Sequence, residues 1–330
     1  THGGVRGRGT THPLPTRLDI EDPSLLAKIY PNDHVKIDPI AKYAVRLNDL
    51  EEHIDLYKMR LNELQAIEKI HFLNTPKSIL QTLDKRYCKK RLQQCDLAIT
   101  PLLAFEGTNF DELLAFLRKE RIPQVFVKPN FGSGAAGVIA LKYNLKTEDL
   151  IAHTSLAKKF EEEKVTFVNT KKIRRLTGYD EIAEVINFVL SMDSIVERWI
   201  AKDCIGDISY DLRIVFQFGK IDFIQVRGAR RTAITNLHLN DLPIDPQKIA
   251  LKPSTYSEIE ELCKRGIGCF EGLQSAGFDI LIEKGSQKPY IIEINGQGDL
   301  MYRDIFDKNK IYQKQIEWFL HKENTNWSIE

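Results

Sequence analysis

The sequence predicts an α+β protein, with antiparallel hairpins following a mostly helical start, on three observations. Apolar residues at Leu50, Ile54, Tyr57, Leu61, Leu64 and Ile67 recur at helical spacing. Later, strand-like runs fold back on themselves around short turns, in "SYDLRIVFQFGKIDFIQVRGA" and "GFDILIEKGSQKPYIIEIN". The chain has 330 residues, 42% hydrophobic and 28% charged, which suits a folded chain of two domains.

The elements follow in order. The opening "THGGVRGRGTTHPLPT" has no apolar core and reads as a loop or arm; it starts at Thr1 without methionine, so a truncated N-terminus is expected. The first helix runs from Asn48 to Ile70, capped by Asn48 or Asp49, and "HFLNTP" turns into a second helix, Lys77 to about Gln94. A third covers Asn109 to Glu120. "IPQVFVKPNFGSGAAGVIALKY" then reads as strand, glycine loop, strand. Helices are expected over residues 147–163 and 179–191, then a strand at "SIVERWI", a hairpin joined at Gly219-Lys220, a helix at "YSEIEELCKRGIGCFEGLQ", and the last hairpin. There is no internal repeat.

Lys and Arg number 47 against 46 Asp and Glu, a net charge of +1, which gives no support to a nucleic-acid or membrane-surface role. No apolar run approaches the roughly eighteen residues of a membrane span. The five cysteines are odd in number and lack CxxC spacing, which argues against a disulfide framework or structural zinc and for a reducing, cytoplasmic setting.

The last hairpin carries the most unusual chemistry. Glu293 and Asn295 sit two residues apart in the apolar run "YIIEIN" and so share one strand face. With the loop centred near Ser286, Asp279 stands opposite Glu293, and two carboxylates across a strand pair repel. A hard cation such as magnesium would resolve that repulsion with oxygen ligands from Asp279, Glu293 and Asn295. The plainer alternative is one satisfied structural acid and one exposed edge acid.

Upstream, Lys128 ends an apolar strand and is followed by Gly132, Ser133, Gly134 and Gly137. Glycines let backbone amides approach an anion closely. The spacing is neither a Walker loop nor a dinucleotide fingerprint, so the choice lies between a phosphate-covering loop and a plain hairpin turn. Lys85 and Lys89 lie on one helix, otherwise a solvated basic face; Glu197 ends a strand, either as a cleft edge or as a surface glutamate.

In order along the chain stand "DK", "VFVKPNFGSGAAGV", "VERWI", "DLR", "RGA" with "TNLH", "GFDIL" and "IIEIN". This series, from about Leu73 to Asp304, resembles the ATP-grasp superfamily and within it the RimK-like carboxylate–amine ligases. The resemblance implies an ATP-grasp fold with a pre-ATP-grasp region at 1–72, a central subdomain at 73–195 and a C-terminal subdomain at 196–330. It implies that Lys85, or Lys89 in its place, and Lys128 contact ATP phosphates under the loop Gly132–Gly137. It further implies that the stretch from Glu197 through Trp199 to Ile200 reads adenine, that Asp211 (or Asp207) contacts the nucleotide, and that Asp279, Glu293 and Asn295 hold magnesium, or manganese in its place. Arg213, Arg227 and Asn236 are implied on the substrate side. Departures lie there too: Leu239 and Asn240 replace a Gly-Gly pair, and Arg230 and Arg231 are extra.

The implied reaction joins a carboxylate to an amine (amino acid, peptide or protein) with ADP release, without nucleic-acid or membrane partners; assembly as a homo-oligomer is left open. Two other classes fit the same residues: a kinase of a small hydroxylated metabolite, and a nucleotide-binding partner without turnover.

Overall fold

Two antiparallel sheets each turn one face to covering helices and the other to a shared cleft. The computed structural model describes residues 45–47, 50–67, 72–132, 134–161, 164–230, 232–235, 242–298 and 311–326. Strands β1 (Val45–Arg46), β2 (Gln124–Pro129), β3 (Ile139–Tyr143), β4 (Leu150–Glu161), β5 (Lys164–Leu176) and β6 (Ser194–Arg198) make the first sheet, in the order β1–β5–β4–β3–β2–β6. The second contains β7 (Cys204–Ile205), β8 (Ile208–Gln217), β9 (Lys220–Arg230), β10 (Leu242–Ile244), β11 (Ser275–Ile282) and β12 (Pro289–Asn295), in the order β10–β9–β8–β11–β12 with β7 against β8.

Period-two alternation sorts each strand between core and cleft. Val125 and Val127 of β2 are buried in the first core, while Phe126 and Lys128 turn to the cleft. Leu212 and Ile214 of β8 enter the second core, while Asp211 and Arg213 turn out of it.

The helices, in chain order, are α1 (Leu50–Gln65), α2 (Pro76–Leu83), α3 (Lys85–Gln94), α4 (Phe110–Lys119), α5 (Tyr179–Leu190), α6 (Pro253–Gly268) and α7 (Ile311–Asn326). Leu113 and Leu117 of α4 and Ile182 and Ile186 of α5 fill the first core. Cys88 and Leu92 of α3 and Ile259 and Cys263 of α6 fill the second. Thus α3, although it precedes the first sheet's long strands, packs into the second core. A strap joins the sheets, because Thr100 N donates to Ile291 O of β12 at 3.0 Å and Leu103 N to Val196 O of β6 at 2.9 Å.

Three expectations need correction. The helix expected over 147–163 is strand β4, paired with β3 on one side and β5 on the other. Its partner β5, rich in β-branched Val165, Thr166, Val168 and Thr170, had no assigned structure; cross-strand pairing here outweighs local helix propensity. The helix expected over 77–94 is two helices, broken at Asp84, whose side chain accepts from Tyr87 N and caps α3. The β8–β9 turn is Phe218-Gly219 (φ 53° and 83°), closed by the pair Gln217–Lys220, one residue earlier than read. Positive φ at both central residues suits the tight hairpin turn.

Candidate active site

The floor of the cleft is one transverse row of four side chains. Gln225 on β9 pairs with Arg213 on β8, Arg213 with Asp279 on β11, and Asp279 with Glu293 on β12. The predicted opposition of Asp279 and Glu293 is therefore present, but a β-bulge produces it. Ile280 pairs with Ile291, so a regular ladder would set Asp279 against Ile292; the register shift brings Glu293 there instead. Ile292 and Glu293 both line the cleft as a result. Gly277 makes room beside this row, since a Cβ there would stand 2.8 Å from Arg213 Nη1.

Two buried aspartates on this floor have different surroundings. Asp211 accepts from Arg227 Nε at 2.8 Å through Oδ1 and from Lys202 Nζ at 2.8 Å through Oδ2, which Thr235 also donates to. Burial alone would raise its carboxyl, but Arg227 and Lys202 outweigh burial and hold it at about 2. Asp279 Oδ1 lies 3.2 Å from Arg213 Nη1 and 3.2 Å from Arg227 Nη2, yet this buried oxygen carries no aligned hydrogen bond. Burial pushes its carboxyl up; the two arginines oppose that, and Glu293 and Asp211 add to it. Asn295 donates its amide to Gly277 O at 3.3 Å, which leaves its side-chain oxygen as an acceptor. Lys85 Nζ stands 3.6 Å from Glu293 Oε1 and donates to Gly132 O at 2.7 Å, so it bridges the acid row and the glycine loop.

The opposite wall belongs to the first sheet. Gly132, Gly134 and Gly137 have φ of 126°, 64° and 72°, backbone that side-chain-bearing residues rarely adopt. A Cβ on Gly137 would also meet Leu47 at 2.6 Å and Pro129 at 2.7 Å. Lys128 Nζ pairs with Glu197 Oε2 at 2.9 Å, and Lys89 Nζ with Glu197 Oε1 at 3.3 Å. Glu197 is only 1% exposed, so the surface alternative is excluded. Burial disfavours its charge, but Lys128 and Lys89 together hold its carboxyl below the usual range. Beyond it, Trp199 N donates to Gln124 O at 3.3 Å and Trp199 O accepts from Gln124 Nε2 at 3.0 Å, while Ile200 lines the cleft. Phe126, Val138, Ala140, Ala233 and Ile234 pack as an apolar patch on this side.

No family model matches the sequence, and no curated protein matches it. Solved structures with a similar chain path include D-alanine–D-alanine ligase from Bacillus anthracis complexed with ATP, at 15% identity and a TM-score of 0.42, over 73% of this chain and 62% of that one. Another is a Chryseobacterium gregarium RiPP-associated ATP-grasp ligase in complex with ADP and a leader and core peptide, at 13% identity, a TM-score of 0.49, and 84% and 71% coverage. A third is the D-cycloserine synthetase DcsG, at 12% identity, a TM-score of 0.48, and 77% and 76% coverage. The chain thus spans less than two thirds of the length of the Bacillus anthracis ligase. At these scores the likeness assigns no activity.

The cleft brings together Lys85, Lys128, Gly132, Gly134, Glu197, Ile200, Asp211, Arg213, Arg227, Asp279, Glu293 and Asn295. Trp199 and Gly137 lie just behind its lining, and Ser133 and Asn236 fall outside the described residues. Sequence reading missed Thr100, Lys202, Gln225, Thr235 and Gln297. Gln225 was hidden by a register shift: the expected turn sets Val226 opposite Arg213, the observed turn with a regular ladder would set Ile224 there, and the irregularity between Val215 and Phe216 brings Gln225 in instead. Gln297, 5% exposed with its side-chain oxygen unpartnered, carried no signal beyond lying two residues after Asn295.

Proposed function

We propose that the chain is an ATP-dependent carboxylate–amine ligase of the ATP-grasp class, forming an amide through an acyl phosphate. The observation that carries this reading is the row Gln225–Arg213–Asp279–Glu293 facing Lys85, Lys128 and the glycine loop across one cleft. Two carboxylates and an amide oxygen, one of them a buried oxygen without an aligned partner, fit a hard divalent cation whose remaining ligands are water and phosphate oxygens. Asp279, Glu293 and Asn295 would hold it, and when bound it would offset charge on the transferring phosphoryl group.

The residues around that set divide the rest of the work. Lys85 and Lys128 offset the triphosphate charge, and backbone amides of the glycine loop cover it. The apolar patch around Phe126 and Ala140, with Ile200 beside it, takes the adenine face. Arg213 suits the substrate carboxylate, because a guanidinium donates two parallel hydrogen bonds to it. Asp211 acts differently from the resemblance's implication: with both oxygens engaged, it orients Arg227 rather than touching nucleotide. The carboxylate takes the terminal phosphoryl group and ADP leaves; the amine then displaces phosphate and loses a proton to solvent or phosphate.

The test is ADP release by the purified chain with magnesium and ATP, against crossed panels of carboxylates, amino acids and peptides. Release that requires one carboxylate and one amine, with an amide product of matching mass, is expected. Release with a hydroxyl compound alone and a stable phosphorylated product would replace the ligase by a kinase.

A further inference from the structure

Lys89 is more completely enclosed than either lysine assigned to phosphate, and the ligase reading does not use it. It is 3% exposed, and its ammonium is surrounded by oxygen: Thr100 O at 3.1 Å, Thr100 Oγ1 at 2.6 Å and Glu197 Oε1 at 3.3 Å. The Thr100 hydroxyl accepts from Lys89 and in turn donates to Glu197 Oε2 at 3.1 Å. Two of these contacts, both to Thr100, are hydrogen bonds and the third, to Glu197, is an ion pair, and Lys89 does not reach the lining of the cleft. It therefore does not substitute for Lys85 on a phosphate.

The charge count explains what it does instead. Glu197 lies between Lys89 and Lys128, at 3.3 and 2.9 Å. Were Lys128 the carboxylate's sole partner, the pair would be neutral, and an anion entering the cleft would have to compete with Glu197 for Lys128. A second buried ammonium changes this, since charges so close in a poorly solvated site interact by several kcal/mol.

We propose that Lys89 is a positioning residue that neutralises Glu197 from behind, through Thr100, and so leaves the charge of Lys128 available to an anionic ligand in the cleft. The three groups sum to one positive charge, and Lys128 is the member that lines the cleft. Glu197 then fixes the direction of the Lys128 side chain without cancelling its charge. This inference rests on reading the cleft as a phosphate site.

Calorimetric titration of the full chain tests it, with magnesium ADP and, separately, inorganic tripolyphosphate as probes. Lys89→Met, which keeps the length and removes the charge, is expected to weaken both about tenfold. Lys89→Met with Glu197→Gln is expected to return within about threefold of the parent, because the uncompensated carboxylate has gone. Glu197→Gln alone is expected to bind tripolyphosphate at least as tightly as the parent. A merely structural Lys89 would give no such rescue. Unchanged affinity in Lys89→Met, a double variant as weak as the single one, or loss of tripolyphosphate binding in Glu197→Gln each overturns the proposal. Should Lys89→Met fail to fold, the other two variants decide it. A parent that binds tripolyphosphate but not ADP removes the nucleotide reading and leaves the charge measurement intact; a parent that binds neither removes both.

Discussion

On the first sheet's wall, Glu197 meets two ammonium groups and a hydroxyl; on the second sheet's floor, Asp279 meets two guanidinium groups and accepts an aligned hydrogen bond at Oδ1 from neither. Both are buried acids among cations, and burial raises the cost of charging both. The balance falls oppositely: Glu197 is held below the usual carboxylate range, Asp279 above it. Glu197 Oε1, like Asp279 Oδ1, is a buried oxygen without an aligned hydrogen bond, held by the Lys89 ion pair alone, whereas Asp211 within the floor has both oxygens bonded. The charge balance separates Glu197, whose charge two ammonium groups favour, from Asp279, whose charge burial and two neighbouring acids oppose; the hydrogen bonds separate Asp211, which is complete, from Asp279, which is not. A buried acid whose hydrogen bonds are complete orders its neighbours, whereas one with an unfilled oxygen is prepared for a ligand.

The comparison is tested most severely at the open acid. Asp279→Asn and Glu293→Gln are each expected to reduce ADP release on the order of 10³-fold, measured at saturating magnesium and ATP. Near-parental turnover in the double variant would show that this row does not serve the reaction.

Asp211→Asn should act on stability instead. Removing one member of a buried, fully bonded pair costs about 3 kcal/mol or more, because Arg227 and Lys202 lose their counter-charge. Denaturant unfolding at neutral pH measures it. The acid limb sharpens the same point. The Asp211 carboxyl is depressed from 3.8 to about 2, so its stabilising contribution is fully present above roughly pH 4 and is lost as pH falls toward 2. The depression corresponds to about 2 kcal/mol. The parent should therefore lose stability more steeply than Asp211→Asn between those values, and parallel acid limbs would contradict the assignment.

The smallest effect is expected at the first wall. Lys128→Ala should weaken magnesium ADP about tenfold, with a melting temperature close to the parent's, since Lys89 still partners Glu197. A large drop in melting temperature with unaltered ADP binding would make Lys128 a structural group and erase the contrast between the walls.

Much of this site was legible before any fold was known, for reasons of strand geometry. Glu293 and Asn295 share a face because side chains alternate, and Lys128 turns from the core because Val125 and Val127 occupy it. The pairing of Asp279 with Glu293 was legible less securely, since a loop centred on Ser286 and a bulge at Ile292 lead to the same partners. Where local signals conflicted, reading failed: "LIAHTSLAKKF" has helix-forming residues, and only β3 and β5 on either side make it a strand. Asp84 broke a helix that its neighbours would have continued, because its side chain could cap the next one.

By itself, the amino-acid order determined which residues alternate between core and cleft, where the glycine loop follows its strand, and that oxygen-bearing side chains gather on the last hairpin. These depend on spacings of a few residues, which covalent geometry sets. Only the tertiary structure decided which cation neutralises which acid: Lys89 meets Glu197 across 108 residues of sequence, and Arg227 and Lys202 complete Asp211. Those pairings follow from distance and burial: Lys89 meets Glu197 only where α3 of the second core packs beside β6 of the first sheet, while Arg227 meets Asp211 across the β8–β9 ladder within the second sheet.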